Sequence, residues 1–373
     1  MMRAMSILFV VIQHMAVLLP WHFPALDSFY QYVGGTFGVD MFFAVSGFLI
    51  ARDMLPRLRD AETPKSTISV LLIFWWKRIW RLWPTAWLWL AVILLAVKFW
   101  NTSGTFGSWD VNVAATYASL FIYMNYHFAE LFGRGEVGAS FVYWSLSLEE
   151  QFYFVLPLLA ILFRRHLTWF LIAVIMLQMV QPKTTVFAFY FRTEALALGV
   201  LIAIASEKAW WQRGVLLLQR LGHAGGLLLG LFCVASMAYV SGLRQQTPYL
   251  MCIIAPLSAL LVAVASYNMD MLTVRGPLKA PLLWLGSRSY GIYIIHIPVF
   301  LFVKELFYRL GYFQEFSLQG VFAYAFLGLP LVLILADVNF RIIERPLLRY
   351  GTALILRGRP GVATKIDRVR SAV

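Results

Sequence analysis

The sequence is poor in charged residues and in cysteine, and it lacks the short motifs of several common enzyme classes. Charged residues make up 13% of the 373 positions, whereas hydrophobic residues make up 61%. This composition is too apolar for the surface of a water-soluble protein. The two cysteines, Cys233 and Cys252, both fall in apolar stretches, so neither a disulfide framework nor a metal site is indicated. The chain also contains no glycine-rich phosphate loop and no G-x-S-x-G nucleophile elbow.

Long apolar stretches recur along the chain, and most are near the length that a helix needs to cross the hydrocarbon of a membrane. They predict an all-α polytopic membrane protein, a bundle of about ten transmembrane helices. A further apolar segment at 113–126 is ambiguous. The predicted spans are 5–21, 36–50, 82–100, 141–163, 167–182, 188–206, 221–241, 249–266, 284–303 and 319–343.

The distribution of positive charge predicts the orientation of these spans. If 113–126 does not cross and the N-terminus is inside, the inside segments carry 23 Lys and Arg residues and the outside segments carry 6. We therefore predict cytoplasmic termini and a re-entrant or outer interfacial segment at 113–126. Residues 1–349 would form the membrane domain, and 350–373 a basic, flexible cytoplasmic tail. Because this topology explains the net charge of +13, nucleic acid is not an expected partner.

The first predicted span places two ionisable side chains on one helical face. Arg3 and His14 are 11 residues apart, close to three turns, and so about 16 Å apart along the axis. Ionisable groups inside a span are costly and usually mark a pathway or a reaction site. The alternative is that His14 is only a hydrogen-bonding strut between helices.

Three carboxylates are predicted to reach the depth of His14 from other spans. Asp40 lies in the second span, and Glu149 and Glu150 lie in the fourth. A carboxylate can orient a histidine for general-base catalysis on a hydroxyl. Adjacent helical residues point about 100° apart, so Glu149 and Glu150 cannot both face one point. Each carboxylate could instead serve only as a structural pair within the bundle.

A second concentration of polar residues lies in the segment WWKRIWRLWP, residues 75–84. Arg78 and Arg81 are spaced i, i+3, so they share a helix face and could hold one phosphate group. The surrounding tryptophans fit a helix at the membrane interface, and lipid anchoring is the alternative role for this segment. Arg52 and Arg3 are candidates for the same cationic patch.

Four further ionisable residues lie in or near the predicted spans: Arg192, Glu194, His296 and Glu344. Arg192 and Glu194 are spaced i, i+2 and cannot face each other on a straight helix, so their partners must come from other spans. His296 is a second intramembrane histidine, and Glu344 is predicted at the cytoplasmic end of the last span.

The Arg-x10-His spacing of Arg3 and His14 resembles the acyltransferase-3 family of integral membrane acyltransferases. Other blocks resemble the family in its usual order and extend over nearly the whole chain. They are FGVDMFFAVSGFLI (37–50), KRIWRLWP (77–84), YWSLSLEEQFYFVLP (143–157), FRTEALALG (191–199), SYGIYIIHIP (289–298) and IERP (343–346). The family usually carries a few more residues before the arginine, whereas only Met1 and Met2 precede Arg3 here. The resemblance thus leaves open whether the natural start lies upstream of Met1.

The resemblance implies transfer of an acyl group, most often acetyl, from cytoplasmic acetyl-CoA to a hydroxyl of a cell-surface or exported carbohydrate. It suggests a bacterial inner membrane and a glycan acceptor, and it favours Glu149 over Glu150. We predict that the catalytic residues are His14, which removes the proton of the acceptor hydroxyl, and Asp40 or Glu149, which orients His14. No Cys/His spacing indicates a metal. The resemblance also associates the Arg78–Arg81 pair with the phosphates of coenzyme A. Direct transfer and a route through acetyl-histidine are both compatible with the sequence.

Three alternatives remain on the sequence alone. Buried Asp, Glu, His and Arg residues also build proton-coupled transporters, although no two-fold internal symmetry is evident here. An acyltransferase could use another acyl group, such as succinyl, or a lipid or small-molecule acceptor. The chain could also be a structural partner in a glycan-assembly complex.

Overall fold

The computed structural model describes residues 1–181, 185–243, 248–267, 269–312 and 316–357. Within these ranges the chain is helical and contains no strand, which confirms the predicted all-α class. The α-helices are α1 (Met2–Val17), α2 (Pro24–Tyr30), α3 (Phe37–Arg59), α4 (Pro64–Phe99), α5 (Trp109–Leu120), α6 (Met124–Leu131), α7 (Tyr143–Phe163), α8 (Leu167–Val180), α9 (Val186–Tyr190), α10 (Glu194–Ser206), α11 (Arg213–Gly242), α12 (Ile254–Ser266), α13 (Lys279–Arg309), α14 (Leu318–Asn339) and α15 (Arg345–Arg357).

The described ranges contain six helical segments that are long and apolar enough to cross a membrane. Two shorter apolar helices, Met2–Val17 and Met251–Ser266, accompany them. The protein is therefore an integral membrane helical bundle. Length and composition identify six candidate crossings in the described ranges and do not confirm the ten predicted. The six segments are Pro64–Phe99, Tyr143–Val180, Val186–Ser206, Leu218–Gly242, Lys279–Arg309 and Leu318–Ile355.

Small residues allow α3 and α10 to pack closely. Gly47 of α3 lies against the backbone of Leu196, and Gly199 of α10 lies against the backbone of Ala44. A Cβ atom added to Gly47 would stand 2.1 Å from the Leu196 carbonyl oxygen, and one added to Gly199 would stand 2.2 Å from that of Ala44. Close approach at small residues is how helices associate where no hydrophobic effect drives them together.

Helix α4 begins much earlier than the span predicted at 82–100. Thr63 and Ser66 form a capping box, and Pro64 occupies the first turn, where its missing N–H costs nothing. The basic aromatic segment is therefore continuous with the predicted span. It does not form a separate interfacial helix.

The ambiguous segment 113–126 forms parts of two short helices, α5 and α6. Helix α5 has 12 residues, about 18 Å in length, which is too short to cross the hydrocarbon. The geometry therefore agrees with the predicted non-spanning segment.

The last long helix continues beyond the predicted end at 343. A π-helical turn at Phe340–Glu344 joins α14 to α15, so Glu344 does not end the helix. The indole N–H of Trp76 donates to the carbonyl of Gly351 (2.9 Å), and the rings of Trp80 and Tyr350 pack 5.4 Å apart. The first part of the predicted flexible tail, residues 350–357, is therefore helical and contacts α4. Residues 358–373 lie outside the described ranges.

The packing of α3 on α10 predicts that Gly199→Ala destabilises the protein. The added methyl group must push two backbones apart, which we expect to cost about 1–3 kcal/mol. Gly286→Ala in α13 is the matched control, because its added Cβ would meet its nearest atom at an ordinary 3.6 Å. Thermal unfolding of the purified proteins should show a lower Tm for Gly199→Ala only. Equal Tm values for the two variants would contradict the close packing.

Candidate active site

His14 and His296 form a hydrogen-bonded pair between α1 and α13. The His14 Nδ1 atom lies 2.9 Å from the His296 Nε2 atom, and the two rings are stacked with centroids 5.1 Å apart. His296 is fully buried, whereas His14 is half-buried. The pair therefore joins residues that are 282 positions apart in the sequence.

The surroundings of His296 fix the direction of this hydrogen bond when both rings are neutral. The His296 Nδ1 atom lies 3.2 Å from the carbonyl oxygen of Ile292, which can only accept, so Nδ1 carries the proton. The Nε2 atom of His296 is then an acceptor, and His14 must donate from Nδ1. The His14 Nε2 atom keeps its lone pair, which is the state that a general base requires.

A cavity lies among α1, α3, α4, α7 and α13, and cationic residues form part of its lining. Arg3, Arg78 and Arg81 line it together with Glu149. Tyr293 also lines it, and its ring centroid is 5.7 Å from that of His296. The remaining lining residues are Val39, Phe42, Phe43, Ser46, Leu82, Ser145, Leu146, Tyr153, Ser289 and Tyr290.

The predicted i, i+3 arginine pair therefore faces one cavity. Arg3, Arg78 and Glu149 lie within electrostatic range of Arg81. The Arg78 guanidinium packs over the rings of Phe74 and Tyr153, at 5.4 and 5.2 Å from their centroids. Cation–π contacts of this kind hold the guanidinium without consuming all its hydrogen-bond donors.

Arg52, another predicted phosphate contact, lies elsewhere. Its side chain is exposed and stacks over the Phe48 ring at 5.1 Å. Arg52 does not line the cavity that holds Arg3, Arg78 and Arg81. The structure thus brings together three of the four arginines that the sequence suggested for one patch.

The two adjacent glutamates face different spaces, as their helical spacing predicted. Glu149 lines the main cavity and accepts a hydrogen bond from the Tyr153 hydroxyl one turn later. Glu150 is buried and lines a smaller cavity beside Trp83 and Tyr153. Glu149 thus lies among the arginines, and His14 has His296 as its hydrogen-bond partner.

Asp40 accepts two hydrogen bonds from Arg192, both of 2.9 Å, in a geometry that joins two oxygens to two nitrogens. Both side chains are almost completely buried. Arg192 also packs over the Phe189 ring, 4.0 Å from its centroid. The prediction that Arg192 finds its partner in another span is therefore correct, and that partner is Asp40 of α3.

The other two candidates, Glu194 and Glu344, lie in α10 and in the π-helical turn between α14 and α15. Glu194 is buried in the first turn of α10. Glu344 accepts a hydrogen bond of 2.8 Å from the Asn339 amide and closely approaches Gly291 of α13. The absence of a side chain at Gly291 leaves room for the Glu344 carboxylate.

Sequence reasoning did not single out two tyrosines of the cavity. Tyr153 follows Glu149 by four residues, and Tyr293 precedes His296 by three, so helical spacing alone could have placed each beside its neighbour. Tyr293 also shares a 2.6 Å hydrogen bond with the Ser145 hydroxyl, which connects α13 to α7. In the described residues, no group of three or more His, Cys, Asp or Glu side chains could hold a metal ion.

Several named proteins resemble this chain over most of its length. Peptidoglycan O-acetyltransferase OatA of Listeria monocytogenes is 26% identical over 389 residues, covering 96% of this chain and 56% of the relative. The putative peptidoglycan O-acetyltransferase YrhL of Bacillus subtilis is 28% identical over 346 residues, covering 85% and 51%. O-acetyltransferase OatA of Staphylococcus aureus is 26% identical over 343 residues, covering 85% and 53%.

The chain spans about half the length of these relatives. No solved structure matches it. The family profile described as an acyltransferase domain, Acyl_transf_3, matches residues 1–338, which is most of the sequence. The match extends over the histidine pair, the arginine cavity and the Asp40–Arg192 pair, and the chain therefore belongs to the acyltransferase-3 family.

Proposed function

We propose that this protein is a membrane O-acetyltransferase that moves an acetyl group from cytoplasmic acetyl-CoA to a hydroxyl of a cell-surface or exported glycan. The observation that carries the proposal is the cavity with three arginines along its wall and Tyr293, next to the histidine pair, also in its lining. The names of the relatives, peptidoglycan O-acetyltransferases, favour acetyl as the acyl group and a glycan as the acceptor.

The cationic part of the cavity suits the phosphates of coenzyme A. Arg3, Arg78 and Arg81 provide three positive charges against the single carboxylate of Glu149. Guanidinium groups bind phosphate through charge-assisted hydrogen bonds, which are among the strongest in proteins. Arg3 and His14 are about 16 Å apart along α1, a separation that the extended pantetheine arm of the donor can bridge.

The histidine pair suits proton transfer at the acceptor hydroxyl. The His14 Nε2 atom takes the hydroxyl proton while the hydroxyl oxygen bonds to the thioester carbonyl carbon. The C–S bond then breaks, and the leaving thiolate of coenzyme A takes a proton from His14. His296 accepts the hydrogen bond of the His14 Nδ1–H throughout and so keeps the Nε2 atom directed at the reaction.

A two-step route uses the same atom differently. The His14 Nε2 atom bonds to the thioester carbonyl carbon, the C–S bond breaks, and coenzyme A leaves as the thiolate. The acceptor hydroxyl oxygen then bonds to the acetyl carbon, the C–N bond to His14 breaks, and the hydroxyl proton passes through the freed Nε2 atom to the thiolate. Asp40 has a structural part in either route, because it binds Arg192 between α3 and the segment before α10. Glu149 balances part of the charge of the arginines.

We also propose ten crossings, cytoplasmic termini and a bacterial inner membrane. The segment Tyr143–Val180 contains two helices, because Arg164–His166 interrupts it with a positive φ of 41° at Arg164. Together with α1, α3 and α12, the other long segments then supply ten crossings, and the 23-to-6 distribution of Lys and Arg follows the positive-inside rule.

The proposed role of His14 predicts that His14→Ala stops acetyl transfer while donor binding persists. Loss of a general base or nucleophile should lower kcat by about 10²-fold or more. The measurement supplies membranes with acetyl-CoA labelled in the acetyl group and crude cell-envelope glycan, and follows both free thiol and label in the glycan. Transfer by His14→Ala at the wild-type rate would refute the proposed chemistry.

The proposed role of His296 as a positioning residue predicts different outcomes for two substitutions. His296→Phe removes the acceptor for the His14 Nδ1–H and should lower kcat more than about tenfold, with little change in KM for the donor. His296→Gln keeps a side-chain acceptor and should recover part of the activity. If both variants lost the same activity, a purely structural role for His296 would explain the result better.

The arginine cavity predicts that Arg78→Ala combined with Arg81→Ala raises KM for acetyl-CoA by roughly 10- to 100-fold, because charge-assisted hydrogen bonds to phosphate are lost. Acetyl-pantetheine, which lacks the nucleotide phosphates, should be used equally by wild type and variant. Arg220→Ala combined with Arg349→Ala removes the same charge from two exposed positions that do not line the cavity. An equal rise in KM in this control would mean that loss of positive charge anywhere on the protein weakens donor binding, and it would contradict a specific role for Arg78 and Arg81.

A further inference from the structure

A second cavity lies beside the C-terminal ends of α3, α7 and α10. Arg59, Arg164, Arg165 and Lys208 line it together with two acidic residues, Glu62 and Glu207. Apolar side chains, among them Leu58, Ile161 and Ile204, complete its wall. The cavity thus combines a positively charged rim with an apolar surface between helices.

This cavity is separate from the donor cavity that the proposed function uses. The two share no lining residue. On α3, Ser46 lines the donor cavity and Leu58 lines the second one. These residues are 12 positions apart, about 18 Å along the helix and about 120° around it, so they face different sides of α3. Binding of coenzyme A in the first cavity therefore does not account for the charged residues of the second cavity.

The balance of charge in this cavity favours an anion. Arg59 forms an ion pair with Glu207. The remaining charged residues of the lining are three cations, Arg164, Arg165 and Lys208, and one carboxylate, Glu62. The three remaining cations lie at or just beyond the ends of α7 and α10, where a membrane helix meets the lipid headgroups. Basic pockets between transmembrane helices at such a level bind the headgroups of anionic lipids.

The backbone at Arg164 is an independent sign of a specific requirement. Its φ is 41°, in the left-handed region where glycine is far easier to accommodate than an L residue with a side chain. A strained conformation of this kind persists only where the surrounding structure holds it, and such conformations cluster at ligand-binding and active sites. Between α7 and α8, an arginine thus lies at the rim of the cavity in a backbone conformation that would suit glycine better.

We propose that this second cavity is a binding site for an anionic phospholipid. Arg164, Arg165 and Lys208 bind the headgroup phosphate, and an acyl chain lies along the apolar wall at Leu58, Ile161 and Ile204. The site is distinct from the acetyl-transfer site, and its occupation is measured as binding and stability rather than activity.

The test compares the wild-type protein with Arg164→Gly combined with Lys208→Ala. The glycine relieves the strained backbone, so the variant should fold and unfold normally in detergent alone. Phosphatidylglycerol added to detergent-solubilised protein should raise the Tm of the wild type more than phosphatidylcholine does, because a ligand that binds only the folded state stabilises it. In the variant the concentration of phosphatidylglycerol needed for the same shift should rise about tenfold or more.

Three comparisons decide between this proposal and its rivals. Arg220→Ala combined with Arg349→Ala should respond to phosphatidylglycerol as the wild type does, since these exposed arginines do not line the cavity. Native mass spectrometry should show one fewer retained phosphatidylglycerol on the Arg164→Gly, Lys208→Ala variant. An unchanged lipid response in that variant would overturn the proposal. An equal stabilisation of the wild type by glycerol 3-phosphate would also overturn it, because that result would show that the site does not require a lipid.

Discussion

Burial of charge in an apolar helical bundle is the constraint on which this structure depends. The Asp40–Arg192 pair shows how the chain meets it: both side chains are nearly inaccessible, and two hydrogen bonds join them. Removing one member of such a buried pair leaves an uncompensated charge and typically costs about 3–5 kcal/mol. The pair also fixes α3 relative to the start of α10, along the contact where Gly47 and Gly199 allow the two backbones to approach. Electrostatic pairing and small-residue packing therefore specify the same helix–helix contact.

The cavity lined by Arg3, Arg78 and Arg81 departs from this balance, and the proposed function accounts for the departure. Its lining contains three arginines and one glutamate, so it is positively charged in the absence of a ligand. The rings of Phe74 and Tyr153 offset part of that charge by packing against Arg78. An excess of charge inside a bundle is costly unless water or an anion compensates it. The donor phosphates supply that compensation in the proposed function, so the charge that weakens the empty protein favours the occupied one.

The sequence predicted the features that depend on local spacing, and it missed those that depend on which helices become neighbours. The three-turn separation of Arg3 and His14, the shared face of Arg78 and Arg81, and the divergence of Glu149 and Glu150 all follow from helical geometry. The partner of Arg192 was predicted only to lie in another span, because spacing along one helix carries no information about the helix beside it. The partner of His14 was expected to be Asp40 or Glu149, and the contact with His296 arises only from the packing of α1 on α13. The early start of α4 has a sequence signal of its own, because Thr63 followed by Pro64 is a favourable N-cap and first helical position.

In this apolar environment a histidine, His296, is a better hydrogen-bond partner for His14 than a carboxylate would be. A carboxylate next to His14 would bring a full negative charge into a region surrounded by Phe141, Tyr293 and Phe300. Such a charge would need a further partner, and the desolvation cost can exceed the gain from orienting the imidazole. His296 supplies a neutral acceptor, and its own N–H is satisfied by the Ile292 carbonyl of the same helix. The arrangement orients His14 without adding charge. In the proposed reaction, His296 would also stabilise a fully formed His14 imidazolium less than a carboxylate would, and the proton would pass more readily to the leaving thiolate.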